Sequence, residues 1–262
     1  MKKNTLKEIW DRGEAVINGW CSIPSSFSTE IMAHQGFDSI TIDMQHGLVD
    51  YQVAVTMLQA ISSTSVIPLT RVPWNDPGIL MKILDAGSYG VICPMINTPE
   101  DAELLVRACK YPPQGYRSFG PIRTKYSSGG AIHGGGDYHI FANEETLVIP
   151  QIETREAIKN LDKILTTPGI SAIYIGPSDL AMALGKEPRK GQSDPEFIEA
   201  RQEILKKAKH YGIPAGIHTN SVNVAVEMIK EGFQLVSLQS DDRFLMSRAK
   251  QEVEGVRNTL KQ

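Results

Sequence analysis

Cysteine is scarce in this chain. Its three residues, Cys21, Cys93 and Cys109, lie far apart and form no C-x-x-C pair. That spacing argues against a disulfide framework or a zinc ribbon and leaves reduced, structural thiols of a cytoplasmic protein. Long apolar runs are missing too: nothing approaches the roughly 20 consecutive residues that a spanning helix needs. The N-terminus, M-K-K-N-T-L-K-E-I-W-D-R-G, has basic residues but no apolar signal core, so secretion is not expected. Nor is there an excess of one charge. A net charge of -3 and a pI near 6.1 give no electrostatic case for nucleic acid or a membrane surface as partner.

What remains is a soluble globular composition, 41% hydrophobic and 22% charged, on 262 residues, enough to bury a substantial core. Short β-branched runs recur at residues 18–22, 39–43, 66–71, 90–94, 147–153, 172–176, 214–218 and 235–239. Between them lie segments with apolar residues at helical spacing, such as 51–61, 76–87 and 99–109. Asn75 or Asp76 ahead of Pro77, and Gly87 past the end, supply explicit caps. Strand and helix alternating eight times in about 250 residues is the arithmetic of an α/β fold of the (β/α)8 TIM-barrel type, a single domain over residues 1–262. A doubly wound sheet is the alternative. Residues 111–143 break the rhythm with a glycine-dense stretch that is expected to be a loop insertion, either mobile or a lid or subunit contact.

In such a barrel the chemistry sits where strands finish. The second strand ends I-D-M-Q-H-G and delivers Asp43, Gln45 and His46; the third ends with Arg71. The fifth ends Q-I-E, which places Gln151 and Glu153 on one face, and the sixth ends G-P-S-D, Gly176 to Asp179. Glu153 and Asp179 end neighbouring strands, and two carboxylates converging there would repel unless a divalent cation lies between them. With oxygen donors alone, magnesium or manganese fits best, with cobalt a further candidate. The alternative pairs Glu153 with Arg155 or Arg71 as a structural ion pair.

If Ser178 and Asp179 open a helix, their free backbone N–H groups and the helix dipole favour an anion such as a substrate carboxylate, and because Pro177 cannot donate, the burden falls on Gly176 and Ser178 beside it. Arg71 would be a fixed positive charge for an enolate or carboxylate oxygen, or else part of a ring of salt bridges. His46 is a candidate for acid–base work, and Asp43 is placed to orient its ring. His218, His133 and His139 are read as structural. None of the eight strands carries a lysine, which argues against Schiff-base chemistry. The loops after the seventh and eighth strands lack the glycines of a barrel phosphate site.

The motifs I-D-M-Q-H-G, R-V-P-W-N-D-P, L-D-A-G-S-Y-G-V-I-C-P-M, Y-P-P-Q-G-Y-R, Q-I-E-T-R-E-A and Y-I-G-P-S-D-L resemble, in order, those of the class II pyruvate aldolases, the 4-hydroxy-2-oxoheptanedioate aldolase family. The resemblance implies a (β/α)8 barrel of the phosphoenolpyruvate/pyruvate type, usually hexameric (a trimer of dimers), with its last helix exchanged between subunits. It implies metal ligation by Glu153 and Asp179 with Gln151 alongside, enolate stabilisation by Arg71, and acid–base work by His46 with Asp43. An aspartate at the position of Asp85 would reach into a neighbouring subunit's site. One departure stands out: many members read D-x-E-H where this chain has Gln45 before His46. The activity implied is reversible retro-aldol cleavage of a 4-hydroxy-2-oxo acid to pyruvate and an aldehyde. Oxaloacetate decarboxylation through the same enolate, or a noncatalytic oxo-acid-binding barrel, are the alternatives.

Overall fold

Side-chain parity along the strands decides what this fold can build. In the second strand, S-I-T-I-D, Ile40 and Ile42 pack outward against helices while Ser39, Thr41 and Asp43 point the other way. The computed structural model describes residues 3–124, 126 and 138–261. Its strands are β1 Val16–Cys21, β2 Ser39–Asp43, β3 Ile67–Arg71, β4 Gly90–Cys93, β5 Leu147–Ile152, β6 Ile173–Ile175, β7 Ala215–Thr219 and β8 Leu235–Leu238. All neighbours pair in parallel, and β1 bonds to both β2 and β8, so the sheet is a closed eight-stranded barrel. Closure rules out the doubly wound sheet.

Two apolar clusters follow from the parity. One lies between the barrel and its helices and holds Ile40, Ile42, Val91, Val148, Ile152 and Ile217 among many others. The other fills the lumen with Val16, Trp20, Ile67, Leu69, Ile92, Leu147, Ile149, Tyr174 and Leu235. The helix Thr5–Asp11, capped by Asn4, plugs the lower end with Leu6 and Trp10. Inside, Asn18 and Tyr174 both donate to Ser237 Oγ, at 2.7 and 2.6 Å, so the buried polar layer is satisfied within the barrel.

The helices Tyr51–Ile61 and Pro99–Cys109 have the bounds read from periodicity, the latter closed by a Thr98/Asp101 capping box. Asp76, not Asn75, caps Pro77–Asp85, and Gly87 leaves that helix with φ +105°. Strand ends differ by a residue or two from expectation; in particular β5 stops at Ile152, which puts Glu153 one residue past it.

The stretch 111–143 needs correction. Tyr111 is buried, Arg117 pairs with Asp85 at 2.6 Å, and the helix Tyr138–Glu145 occupies its end. His139 lies on that helix, edge-on to Phe119. The glycine-rich residues 127–137, with His133, fall outside the described residues.

The last helix, Asp241–Thr259, buries Asp241 alone of its residues. Asp241 accepts from the Ser22 and Ile23 backbone N–H groups and so ties the end of β8 to β1 rather than joining a site. Beyond it Leu245, Met246, Val253 and Val256 are exposed. No helix of the described residues is long and apolar enough to cross a membrane.

Candidate active site

The C-terminal strand ends open into a cavity of about 630 Å³ lined by Trp20, Asp43, His46, Arg71, Asp179 and His218, among others. Inward parity explains the choice: Trp20 follows Val16 and Asn18 on β1, Asp43 follows Ser39 and Thr41 on β2, and Arg71 follows Ile67 and Leu69 on β3.

Asp43 and Arg71 stand opposite each other in the β2/β3 register. Arg71 donates from Nε to Oδ1 at 2.9 Å and from Nη2 to Oδ2 at 2.6 Å, a bidentate pair that fixes the guanidinium plane. The guanidinium carbon lies 4.9 Å from the Trp20 ring centroid, and Trp20 Nε1 donates to Asp43 Oδ2 at 3.2 Å. Burial would raise the Asp43 carboxyl, but hydrogen bonds from Arg71, Trp20 and the His46 backbone outweigh it and hold it below its ordinary value. It is therefore a fixed anion.

This corrects one expectation. Asp43 does not orient the His46 ring; it accepts the backbone N–H groups of Gln45 and His46, at 3.1 and 3.2 Å, while the imidazole is exposed. Gly47 is required by this turn, since a Cβ there would lie 2.2 Å from the Asp43 carbonyl oxygen.

Gln151 and Glu153 do face the same way. Gln151 Nε2 donates to Glu153 Oε2, and the Met95 backbone N–H donates to Oε1 at 2.9 Å. Met95 takes φ 57°, a conformation disfavoured for a non-glycine residue, and in it this N–H is aimed at the carboxylate. Neither arginine pairs with Glu153: Arg71 is held by Asp43, and Arg155 reaches Glu196 at 2.9 Å. Burial raises the Glu153 carboxyl above its ordinary value, Asp179 adds to the rise, and the two hydrogen bonds only oppose it.

Glu153 and Gln151 lie behind the cavity wall, separated from it by Gly176, where a Cβ would come 2.1 Å from Glu153 Oε2 and 2.6 Å from Gln151 Nε2. Gly176→Ala is expected to displace both side chains and cut activity by more than about tenfold, with little change in the circular dichroism spectrum; unchanged activity would show that this packing is irrelevant.

Gly176 is the N-cap of the helix Pro177–Ala183, so Ser178 and Asp179 fall in its first turn, at the cavity. The donor set suits a divalent cation. Two carboxylates repel, and Gln151 Oε1 is buried with no hydrogen-bond partner. No group of three or more His, Cys, Asp or Glu side chains is placed to hold a metal among the described residues. Magnesium sites in general use one or two protein carboxylates, with water and substrate oxygens completing the shell.

Several residues escaped the sequence reading. Trp20 belongs to no catalytic pattern, and only its inward parity marks it. The Met95 N–H carries no sequence signal. Arg189 and Arg243 line the cavity from the loop before residues 190–193 and from the last helix. His218, read as structural, also lines the cavity. Asp85 stays outside it, bound to Arg117.

Known proteins resemble this chain over nearly its whole length. The chain is 36% identical to a hydroxypyruvate/pyruvate aldolase of Rhizorhabdus wittichii over 97% of its own length and 99% of the relative's. It is 33% identical to a 4-hydroxy-2-oxo-heptane-1,7-dioate aldolase of Klebsiella pneumoniae over 92% and 89%. Among solved structures, a family protein from Burkholderia cenocepacia superposes with a TM-score of 0.90 at 30% identity, covering 97% of this chain and 100% of that one. The model of one family matches residues 20–247, and by that match and these identities the chain belongs to the HpcH/HpaI aldolase/citrate lyase family.

Proposed function

We propose that this protein is a metal-dependent carbon–carbon lyase that reversibly cleaves a 4-hydroxy-2-oxo acid to pyruvate and an aldehyde. The observation that carries the reading is the cavity itself: a rigid Arg71 cation faces the space bordered by Asp179, with Glu153 behind it. Relatives named as aldolases match over nearly the whole chain.

Magnesium or manganese held by Glu153 and Asp179, with Gln151 Oε1 alongside, would act as a Lewis acid toward the 2-oxo and carboxylate oxygens of the substrate. Arg71 holds its charge against the oxygen on which enolate charge develops. Ser178 and Gly176 offer backbone N–H groups to the substrate carboxylate at the start of their helix. His46, exposed at the cavity, takes the proton of the 4-hydroxyl directly or through water. The C4–O bond becomes a carbonyl, the C3–C4 bond breaks, and its electron pair forms the C2–C3 enolate. Protonation at C3 then gives pyruvate.

Asp85 is assigned to a neighbouring subunit's site, and the chain to a hexamer that exchanges its last helix. The exposed Leu245, Met246, Val253 and Val256 of that helix support the exchange. Cys21, Cys93 and Cys109 are free and buried, which supports a reducing cytoplasmic setting.

Oxaloacetate decarboxylation uses the same enolate but needs no base for an alcohol proton. His46→Ala is expected to lose about 10²-fold or more in retro-aldol turnover while retaining oxaloacetate decarboxylation. Pyruvate release measured on the two substrates checks this; equal losses on both would remove His46 from the base role.

A further inference from the structure

His218 faces the cavity and has no part in the reaction set out above. It shares the inward face of β7 with Gly216 and stands edge-on to Trp20, with ring centroids 5.1 Å apart. The neighbouring polar groups are already engaged. Ser237, its partner in the β7/β8 register, accepts from Asn18 and Tyr174, and Thr219 Oγ1 donates to the Ser237 carbonyl at 2.8 Å. Neither ring nitrogen of His218 has a hydrogen-bond partner among the described residues. A half-buried polar side chain, unpartnered and bordering the substrate cavity, is placed to meet a ligand.

The state of the ring narrows the ligand chemistry. Burial, and then the nearby Arg71 charge, lower the His218 pKa to about 4, against a smaller opposing effect of Asp43. At neutral pH the ring is an uncharged imidazole, a donor at one nitrogen and an acceptor at the other. A hydroxyl matches it, since it both donates and accepts. A carboxylate only accepts and would favour the cationic ring that Arg71 opposes. An alkyl group would displace water and leave both nitrogens unpaired.

We propose that His218 is a specificity-determining residue that hydrogen-bonds a substrate hydroxyl, making this site selective for hydroxylated 2-oxo acids. The inference rests on the lyase reading for the identity of the site. The hydroxyl has two sources: C3 of the oxo acid, beside the keto group, or the aldehyde-derived part beyond C4.

Calorimetric titration of the full-length protein in saturating magnesium separates them with two isosteric pairs. Hydroxypyruvate against 2-oxobutanoate tests the C3 position, and 5-hydroxy-2-oxopentanoate against 2-oxohexanoate tests the distal one. None of the four carries the 4-hydroxyl that cleavage requires, so binding is read without turnover. In one pair the wild type is expected to bind the hydroxylated member about tenfold more tightly, the worth of a single net hydrogen bond. His218→Leu should bring that ratio to about one, and His218→Gln, which can donate and accept, should retain most of it. If the leucine variant does not fold, His218→Met gives the same reading. Ratios near one in both wild-type pairs, or a preference that survives His218→Leu, would overturn the proposal. Failure of the wild type to release pyruvate from any 4-hydroxy-2-oxo acid would instead overturn the lyase reading and leave the binding ratios to decide on His218.

Discussion

Arg71→Lys is expected to lower kcat for pyruvate release by about 10²- to 10³-fold, the range found when one preorganised donor to a developing oxyanion is lost, with a much smaller change in KM. The reason is geometric. Arg71 uses Nε and Nη2 to grip both oxygens of Asp43 and lies over the face of Trp20, so its plane is fixed before substrate arrives. A lysine ammonium is one point charge on a flexible stem. It can pair with Asp43 or turn to the substrate, but it cannot hold a rigid fork against one while facing the other. Steady-state kinetics of the folded variant on a 4-hydroxy-2-oxo acid checks this. A kcat within about threefold of wild type would mean that the charge alone matters or that Arg71 merely closes the barrel end.

Glu153→Gln is expected to have two opposite effects. Metal affinity should fall by more than about 100-fold, since loss of outer-shell partners alone costs 10- to 100-fold, and activity should fall with it. The metal-free protein should instead become more stable. Burial and Asp179 raise the Glu153 carboxyl, so its ionised form costs folding free energy at neutral pH, a cost that builds as pH rises from the ordinary carboxyl value to the raised one and is constant above it. The neutral amide removes that cost. It can still accept from Met95, and it can donate to Gln151 Oε1, which has no partner in the wild type. Manganese binding followed by electron paramagnetic resonance, and thermal unfolding in chelator, read the two effects. A lower metal-free Tm together with unchanged manganese affinity would make Glu153 a structural residue.

The barrel and the sides of its site were legible because parity and strand order suffice for both. Successive parallel strands lie side by side, so residues ending β5 and those following β6 must be neighbours. Gln151 and Glu153 share a face for the simple reason that they are two apart. The partner of Asp43 was not legible. His46 is three residues away along the chain, but Arg71 is directly across the β2/β3 pair, and register is a property of two strands together. The helix Tyr138–Glu145 was hidden for another reason: it buries Asn143 and Glu145 alongside Tyr138 and Ala142, so it shows no clean apolar stripe. Trp20 and His218 illustrate the limit of residue type as a signal. An indole on a strand reads as core, and an isolated imidazole as structural, until the cavity that both border is known.

The most direct measurement is pyruvate release from 4-hydroxy-2-oxoheptanedioate by protein stripped with chelator, in a lactate dehydrogenase-coupled assay, before and after magnesium or manganese is restored. Turnover that is absent in the stripped protein and returns with the metal is the expected result. Turnover unaffected by chelation would contradict a metal site at Glu153 and Asp179, and with it the chemistry assigned to this cavity.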